Sequence, residues 1–118
     1  MLDFHYETVG KNEDIVSVSL SGRLNAENCE YLLHCVEKQI KSGYKKLIIN
    51  CDELTHISSM GLGMLVRVNS RMKKVGGDVK LASVHGIGAE MMKVVGLHRI
   101  FHLYPTVEDA VAAHSDGS

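Results

Sequence analysis

A short apolar run with helical patterns on both sides constrains the fold of this chain more than any other feature. Residues 47–49 (Leu-Ile-Ile) form an uninterrupted apolar run, which is typical of a strand covered on both faces. Apolar side chains recur at helical spacing before this run, over residues 29–40, and after it, over residues 62–75. Such a helix–strand–helix order predicts parallel strands joined by right-handed crossovers.

The remaining segments continue this alternation of strands and helices. Residues 4–8 and 14–20 are predicted to form an antiparallel hairpin at the edge of the sheet. Two later strands and two later helices complete the pattern, with strands at 79–84 and 100–104 and helices at 89–95 and 107–113. We therefore expect an α/β fold with a mixed, mostly parallel sheet of about five strands and about four helices.

Capping residues indicate where the predicted helices begin and end. We expect Asn25 to cap the first helix and Gly43 to end it, since asparagine favours the N-cap and glycine the left-handed end of a helix. Gly76 and Gly77 stop the second helix, and Thr106 is expected to cap the last one.

Length and composition limit the chain to one domain. Its 118 residues suit a single domain over 1–113, followed by a loose tail over 114–118. No apolar run approaches the ~18 residues that a membrane span needs, and the N-terminus lacks the basic start and apolar stretch of a signal peptide. We therefore expect a cytoplasmic protein that is a monomer or a weak dimer.

Charge and metal-ligand spacing exclude several classes of partner. The net charge is −1, which argues against nucleic acid or an anionic membrane as the main partner. Three cysteines without C-x-x-C spacing predict reduced packing residues: Cys29, Cys35 and Cys51. The seven histidines lack zinc spacing, so we expect no metal or cofactor and place them at the surface: His5, His34, His56, His85, His98, His102 and His114.

Residues 50–63 join the central strand to the second helix, where ligands and partners gather in open α/β sheets. Ser58 and Ser59 precede that helix, and we predict Ser59 as its N-cap. Gly61 and Gly63 lie in its first turns, where each costs ~1 kcal/mol relative to alanine. They allow either close packing within the domain or the close approach of another backbone.

A phosphate at this helix terminus is compatible with a folded domain. It would lie beside free N–H groups and the positive end of the helix dipole. The added charge of about −2 would still repel a partner bound to the same helix. The segment therefore has the chemistry of a phosphorylation switch.

Four segments resemble, in order and spacing, the motifs of a known family: Leu-Ser-Gly-Arg-Leu-Asn at 20–25, Ser-Ser-Met-Gly-Leu-Gly at 58–63, Gly-Gly-Asp-Val-Lys-Leu at 76–81 and Gly-Leu-His-Arg-Ile-Phe at 96–101. Over essentially its whole length the chain resembles the STAS-domain family of anti-sigma factor antagonists. The resemblance implies that the unphosphorylated protein binds an anti-sigma factor that is also a Ser/Thr kinase and thereby frees a sigma factor. Phosphorylation of the serine aligned with Ser59 ends the binding, and a phosphatase restores it.

The motif departs from the family pattern at three positions. Ser58 replaces a common aspartate, Met60 a common serine or threonine, and Asn25 the usual aspartate. Ser58 is therefore a rival phosphate acceptor to Ser59. The resemblance places the partner-binding surface at seven positions, of which we expect both methionines to be exposed: Asn25, Ser58, Met60, Gly61, Leu62, Gly63 and Met64.

The sequence also has features of two other functions, an enzyme and a permanent structural subunit. A Ser59–His56 pair resembles part of a hydrolase site, but the G-x-S-x-G elbow is missing, so we do not expect an enzyme. STAS-like domains also serve as subunits of lipid-transport ATPase complexes and stress-sensing assemblies. In such a subunit the same surface would hold a permanent partner, and Ser59 would never need to be phosphorylated.

Overall fold

Strands and helices alternate along the chain in the computed structural model, which describes residues 2–85, 93, 96 and 99–115. Within these residues the elements are β1 Leu2–Val9, β2 Ile15–Leu24, α1 Cys29–Lys41, β3 Lys46–Ile57, α2 Ser59–Lys74, β4 Asp78–Ala82, β5 His102–Tyr104 and α3 Val107–Ser115. The predicted third helix, at 89–95, lies outside the described residues except for Lys93. No described helix has the length and apolar character to cross a membrane.

The five strands form one sheet in the order β1-β2-β3-β4-β5. The β1–β2 pair is antiparallel and the other three pairs are parallel, which confirms the predicted mixed sheet. β3 is central because its start is apolar on both faces, and Leu47, Ile48 and Ile49 are at most 1% exposed.

The alternation of side chains along β3 divides the core into two layers. Leu47 and Ile49 belong to the larger core cluster, which the inner faces of α1 and α2 complete. Ile48 points to the other face of the sheet, where it packs in a smaller cluster with Ala110 of α3. The sheet therefore carries α1 and α2 on one face and α3 on the other.

The start of α1 differs from the prediction. The regular helix begins at Cys29 and Asn28 is the residue before it, so the predicted N-cap, Asn25, caps the turn that leads into α1 and not the first residue of α1 itself. The Asn25 Oδ1 atom accepts hydrogen bonds from the N–H groups of Glu27 (3.0 Å) and Asn28 (3.3 Å) and forms a turn ahead of the helix. The predicted helix end is confirmed, since Gly43 follows the C-cap with φ +91°.

The last helix is longer than the sequence predicts. Thr106 caps it as predicted, because its Oγ1 atom accepts a hydrogen bond from the Asp109 N–H at 3.1 Å. The helix continues to Ser115, and His114 is only 1% exposed, with Nε2 3.0 Å from the Leu47 carbonyl oxygen. The prediction of His114 as a surface residue in a loose tail is therefore wrong. The three cysteines are buried and unpaired, as predicted.

Candidate functional site

The carboxyl ends of β2 and β3 bring two of the family-like segments together. The parallel register places Leu24 opposite Ile57 at the end of both strands. The Ser58 N–H donates a hydrogen bond to the Leu24 carbonyl at 2.9 Å, and Thr55 Oγ1 donates to the Gly22 carbonyl at 2.9 Å. These bonds fix the start of α2 against the loop that follows β2.

Ser58, and not Ser59, is the N-cap of α2. Its backbone is extended (φ −87°, ψ 170°), and its Oγ atom accepts a hydrogen bond from the Gly61 N–H at 3.0 Å. Ser59 is already the first helical residue and is exposed, so the predicted capping role of Ser59 is wrong. Its hydroxyl makes no hydrogen bond to any described residue. The Ser59 hydroxyl is consequently available for chemistry that leaves the cap intact.

The start of α2 favours a negative charge. The N–H groups of Ser59 and Met60 lie in the first turn, where no preceding helical carbonyl can accept from them. The helix dipole adds partial positive charge at this end. No acidic side chain lies in the first turn of α2, so a charged group on Ser59 would meet no like charge there.

The two glycines of the first turns have different surroundings. Gly61 is buried, and a Cβ atom there would lie 2.8 Å from the Leu24 carbonyl oxygen and 3.1 Å from Ile57 Cγ1. Gly63 is exposed, and a Cβ atom there would meet nothing within 4 Å. Gly61 is therefore required for packing, whereas Gly63 leaves the backbone of α2 open to the surface.

An open groove of about 730 Å³ runs between α1 and α2. Both helices follow parallel strands, so they run side by side with their N-termini at the same edge of the sheet. Tyr31 and His34 line the groove from α1, and Ser59, Met60, Gly63 and Arg67 line it from α2. Tyr31 and Met60 are 65% and 60% exposed, so the groove has an apolar residue on the rim of each helix. We call this surface the switch groove.

The polar side chains of the switch groove carry mixed charge. Glu27 and Glu30 lie at its α1 side, and Arg67 at its α2 side. Within the part of the chain that the structure describes, no group of three or more histidine, cysteine, aspartate or glutamate side chains is placed to hold a metal ion. The groove is thus lined by both polar and apolar side chains.

Only part of the predicted partner-binding set faces the switch groove. Met60 and Gly63 are exposed, Asn25 and Ser58 are partly buried, and Gly61, Leu62 and Met64 are buried. The prediction of an exposed Met64 is wrong, because it is only 7% exposed and packs in the larger core cluster with Leu65 and Val68. It still lines the floor of the switch groove together with Met60 and Gly63.

Tyr31 and Arg67, which line the groove, were missed from the sequence. A signal for Tyr31 existed, since it stands outside the apolar stripe of its own helix.

The fold and the site together define a small α/β domain with an exposed serine at the edge of an open groove between two helices. The STAS domain family matches residues 6–110, and the chain belongs to this family. A curated relative, BtrV of Bordetella bronchiseptica, is 26% identical over 106 residues that span 90% of this chain and 91% of BtrV, and it is named as an anti-sigma factor antagonist.

Solved structures share the fold. An anti-sigma factor antagonist of Thermotoga maritima is 25% identical, with a TM-score of 0.84 over 93% of this chain and 92% of its own. The phosphorylated form of the Bacillus cell fate determinant SpoIIAA is 21% identical, with a TM-score of 0.71 over 94% of this chain and 98% of its own. The mixed sheet and its flanking helices are therefore common to these proteins.

Proposed function

We propose that this protein is an anti-sigma factor antagonist switched by phosphorylation of Ser59. In its unphosphorylated form it binds an anti-sigma factor with Ser/Thr kinase activity and thereby frees a sigma factor, which places it in the cytoplasm. The observation that carries the proposal is the position of Ser59, exposed on the rim of the switch groove with a hydroxyl that the helix cap does not use. The names of its relatives support the same role.

Phosphorylation of Ser59 leaves the domain folded under this proposal. The phosphate adds a charge of about −2 beside the free N–H groups of the first turn and the positive end of the helix dipole. No acidic side chain opposes it within that turn. The Bacillus relative supports this expectation, since its phosphorylated form has the same fold.

The phosphate blocks binding because a partner in the switch groove has to cover it. A charge that loses its water in an interface without a counter-ion costs several kcal/mol. A loss of ~3 kcal/mol lowers the affinity by over a hundredfold. A partner that contacts Met60 and the open backbone at Gly63 has to desolvate this phosphate. A phosphatase that removes the phosphate restores the binding.

Ser58 is a poor acceptor by comparison. Its Oγ atom accepts the hydrogen bond from the Gly61 N–H, and its side chain is partly buried. A phosphate on that oxygen has to compete with this capping hydrogen bond. In this role the protein is a binding module and supplies only the hydroxyl, while the kinase supplies ATP and Mg²⁺.

Four matched baits test the proposal in extracts of the source organism. Wild type, Ser59→Ala and Ser58→Ala are expected to retain one common protein, and Ser59→Asp is expected to lose it by about a hundredfold. Incubation with ATP and extract, followed by phosphopeptide mapping, is expected to place phosphate on Ser59 of wild type and of Ser58→Ala.

Two results contradict the proposal. Phosphate on Ser58, or on neither serine, removes the switch. A partner that Ser59→Asp retains as strongly as wild type indicates a permanent subunit of a larger complex.

A further inference from the structure

A second groove lies beside the switch groove, between α1 and the edge strand β1. Its volume is about 470 Å³, and its lining includes Phe4, Tyr6, Tyr31, His34, Lys38 and Lys41. Tyr31 and His34 line both grooves, so the two are continuous across the outer face of α1. We call the second one the β1 groove.

The β1 groove presents an ordered aromatic surface. The rings of Phe4 and Tyr6 are stacked, with centroids 6.4 Å apart and planes 13° from parallel. Burial raises the pKa of the Tyr6 hydroxyl, and the Cys35 thiol of α1 adds to this rise, so the ring lies against both Phe4 and α1. A side chain already held in place loses little conformational entropy when a partner binds.

Exposed apolar side chains follow the line of the two grooves. Five large hydrophobic residues are exposed in the described part of the chain, and Met60, Tyr31 and Tyr6 are three of them. They lie on α2, α1 and β1 in turn, each on the wall of a groove. A contiguous patch of this kind marks a surface that binds another protein.

The charge of the β1 groove is positive. Lys38 and Lys41 are exposed and form no ion pair within the described residues, and Lys38 lies close enough to act on the pKa of the Cys35 thiol. Glu37, the acidic residue of the lining, is held by Arg71, with Nη2 3.1 Å from Oε2. The lysines therefore lack a local counter-ion, and an acidic segment complements them.

We propose that the partner bound at the switch groove also places an acidic segment with apolar side chains in the β1 groove. The docking surface then runs from Met60 over Tyr31 to Tyr6, with Lys38 and Lys41 pairing with carboxylates of the partner. This inference rests on the proposed function, because the occupant of both grooves is the same anti-sigma factor.

Site-specific photo-crosslinking in the source organism tests the continuity of the surface. The full chain carries p-benzoyl-phenylalanine in place of Met60, Tyr31 or Tyr6, one position at a time. A fourth chain carries it in place of Leu103, which is 37% exposed on β5, as a control. The first three positions are expected to cross-link to one and the same protein, whereas the Leu103 position is expected not to cross-link to that protein. Adding Ser59→Asp is expected to abolish all three cross-links.

The chemistry of the occupant is tested on the same material. The partner peptide linked at the Tyr6 position is expected to be rich in aspartate and glutamate. Lys38→Glu with Lys41→Glu is expected to reduce that link by about tenfold. Lys45→Glu with Lys74→Glu changes the net charge equally, away from the β1 groove, and is expected to leave the link unchanged. Cooperative thermal unfolding with the same Tm for the two double variants shows that both are folded.

The outcomes separate the two proposals. Suppose the Met60 position links a partner, whereas the Tyr6 position links no protein, links a different protein or links a second copy of this chain. In each of these cases the inference is wrong and the proposed function stands. A Tyr6-linked peptide without acidic residues also overturns the inference. If no position links a protein, or if Ser59→Asp keeps every link, both proposals are wrong.

Discussion

The two substitutions Gly61→Ala and Gly63→Ala test whether each glycine of α2 is required for packing or lies at an open surface. Both positions lie near the start of α2, so both substitutions gain a similar helix propensity, ~1 kcal/mol or somewhat less near a helix end. The difference in stability between the two variants therefore isolates the steric effect of the new methyl group.

The steric effect is large at one position only. At Gly61 the new Cβ atom lies 2.8 Å from the Leu24 carbonyl oxygen, a backbone atom that also accepts the hydrogen bond from Ser58 and has little freedom to move. Overpacking of this kind costs about 1–3 kcal/mol. At Gly63 the new atom meets nothing within 4 Å. We expect Gly63→Ala to be the more stable variant by about 2 kcal/mol, or roughly 8 °C in Tm for a chain of this length.

Urea and thermal unfolding followed by circular dichroism measure this difference. Wild type is expected to lie between the two variants, and the slope of the free energy with urea is expected to be the same for all three. If Gly61→Ala is as stable as Gly63→Ala, the close approach of α2 to the loop after β2 is not a packing constraint, and the reasoning is refuted.

Three further outcomes are expected. Ser58→Ala removes the N-cap and lowers the free energy of unfolding by about 1 kcal/mol, whereas Ser59→Ala leaves it nearly unchanged. Urea unfolding measures both variants, and equal losses contradict the assignment of Ser58 as the cap. Burial lowers the pKa of His114, so the neutral imidazole contributes its full share to the free energy of unfolding above the unfolded-state pKa of about 6.5, and this share is lost as the pH falls below that value. The free energy of unfolding of His114→Gln is expected to depend less on pH between about 7.5 and 5, as measured by urea unfolding. Gly63→Leu is expected to weaken partner binding at least tenfold without unfolding the domain. Calorimetry with the captured partner measures the affinity, and an unfolded variant contradicts the open position of Gly63.

The sequence by itself determined the order of elements and the position of the proposed switch segment. Apolar spacing is a local property, and it distinguishes the central strand at 47–49 from the helices beside it without knowledge of their contacts. The chain order of strands and helices then limits the sheet to parallel crossovers, and the structure confirms this. The resemblance to STAS domains limited the proposed phosphate acceptor to two adjacent serines, Ser58 and Ser59.

Only the tertiary structure decided which serine caps α2. The cap falls on the last extended residue before the helix, and that residue is fixed by the hydrogen bond from the Ser58 N–H to Leu24, on another strand. Gly61 and Gly63 are identical in sequence terms and differ because Leu24 lies against one of them. Burial of Met64 was implicit in the helical period, but the start of the helix had to be known to within one residue to see it.

The surface around the switch was also set by contacts distant in sequence. Tyr31 and Arg67 line opposite sides of the switch groove because two helices that follow parallel strands lie side by side. Tyr6 reaches the same face because β1 pairs antiparallel to β2 and stacks its aromatic residues beside α1. Local spacing fixes which residues share one face of a helix or strand, whereas the packing of separate elements decides which faces form a common surface.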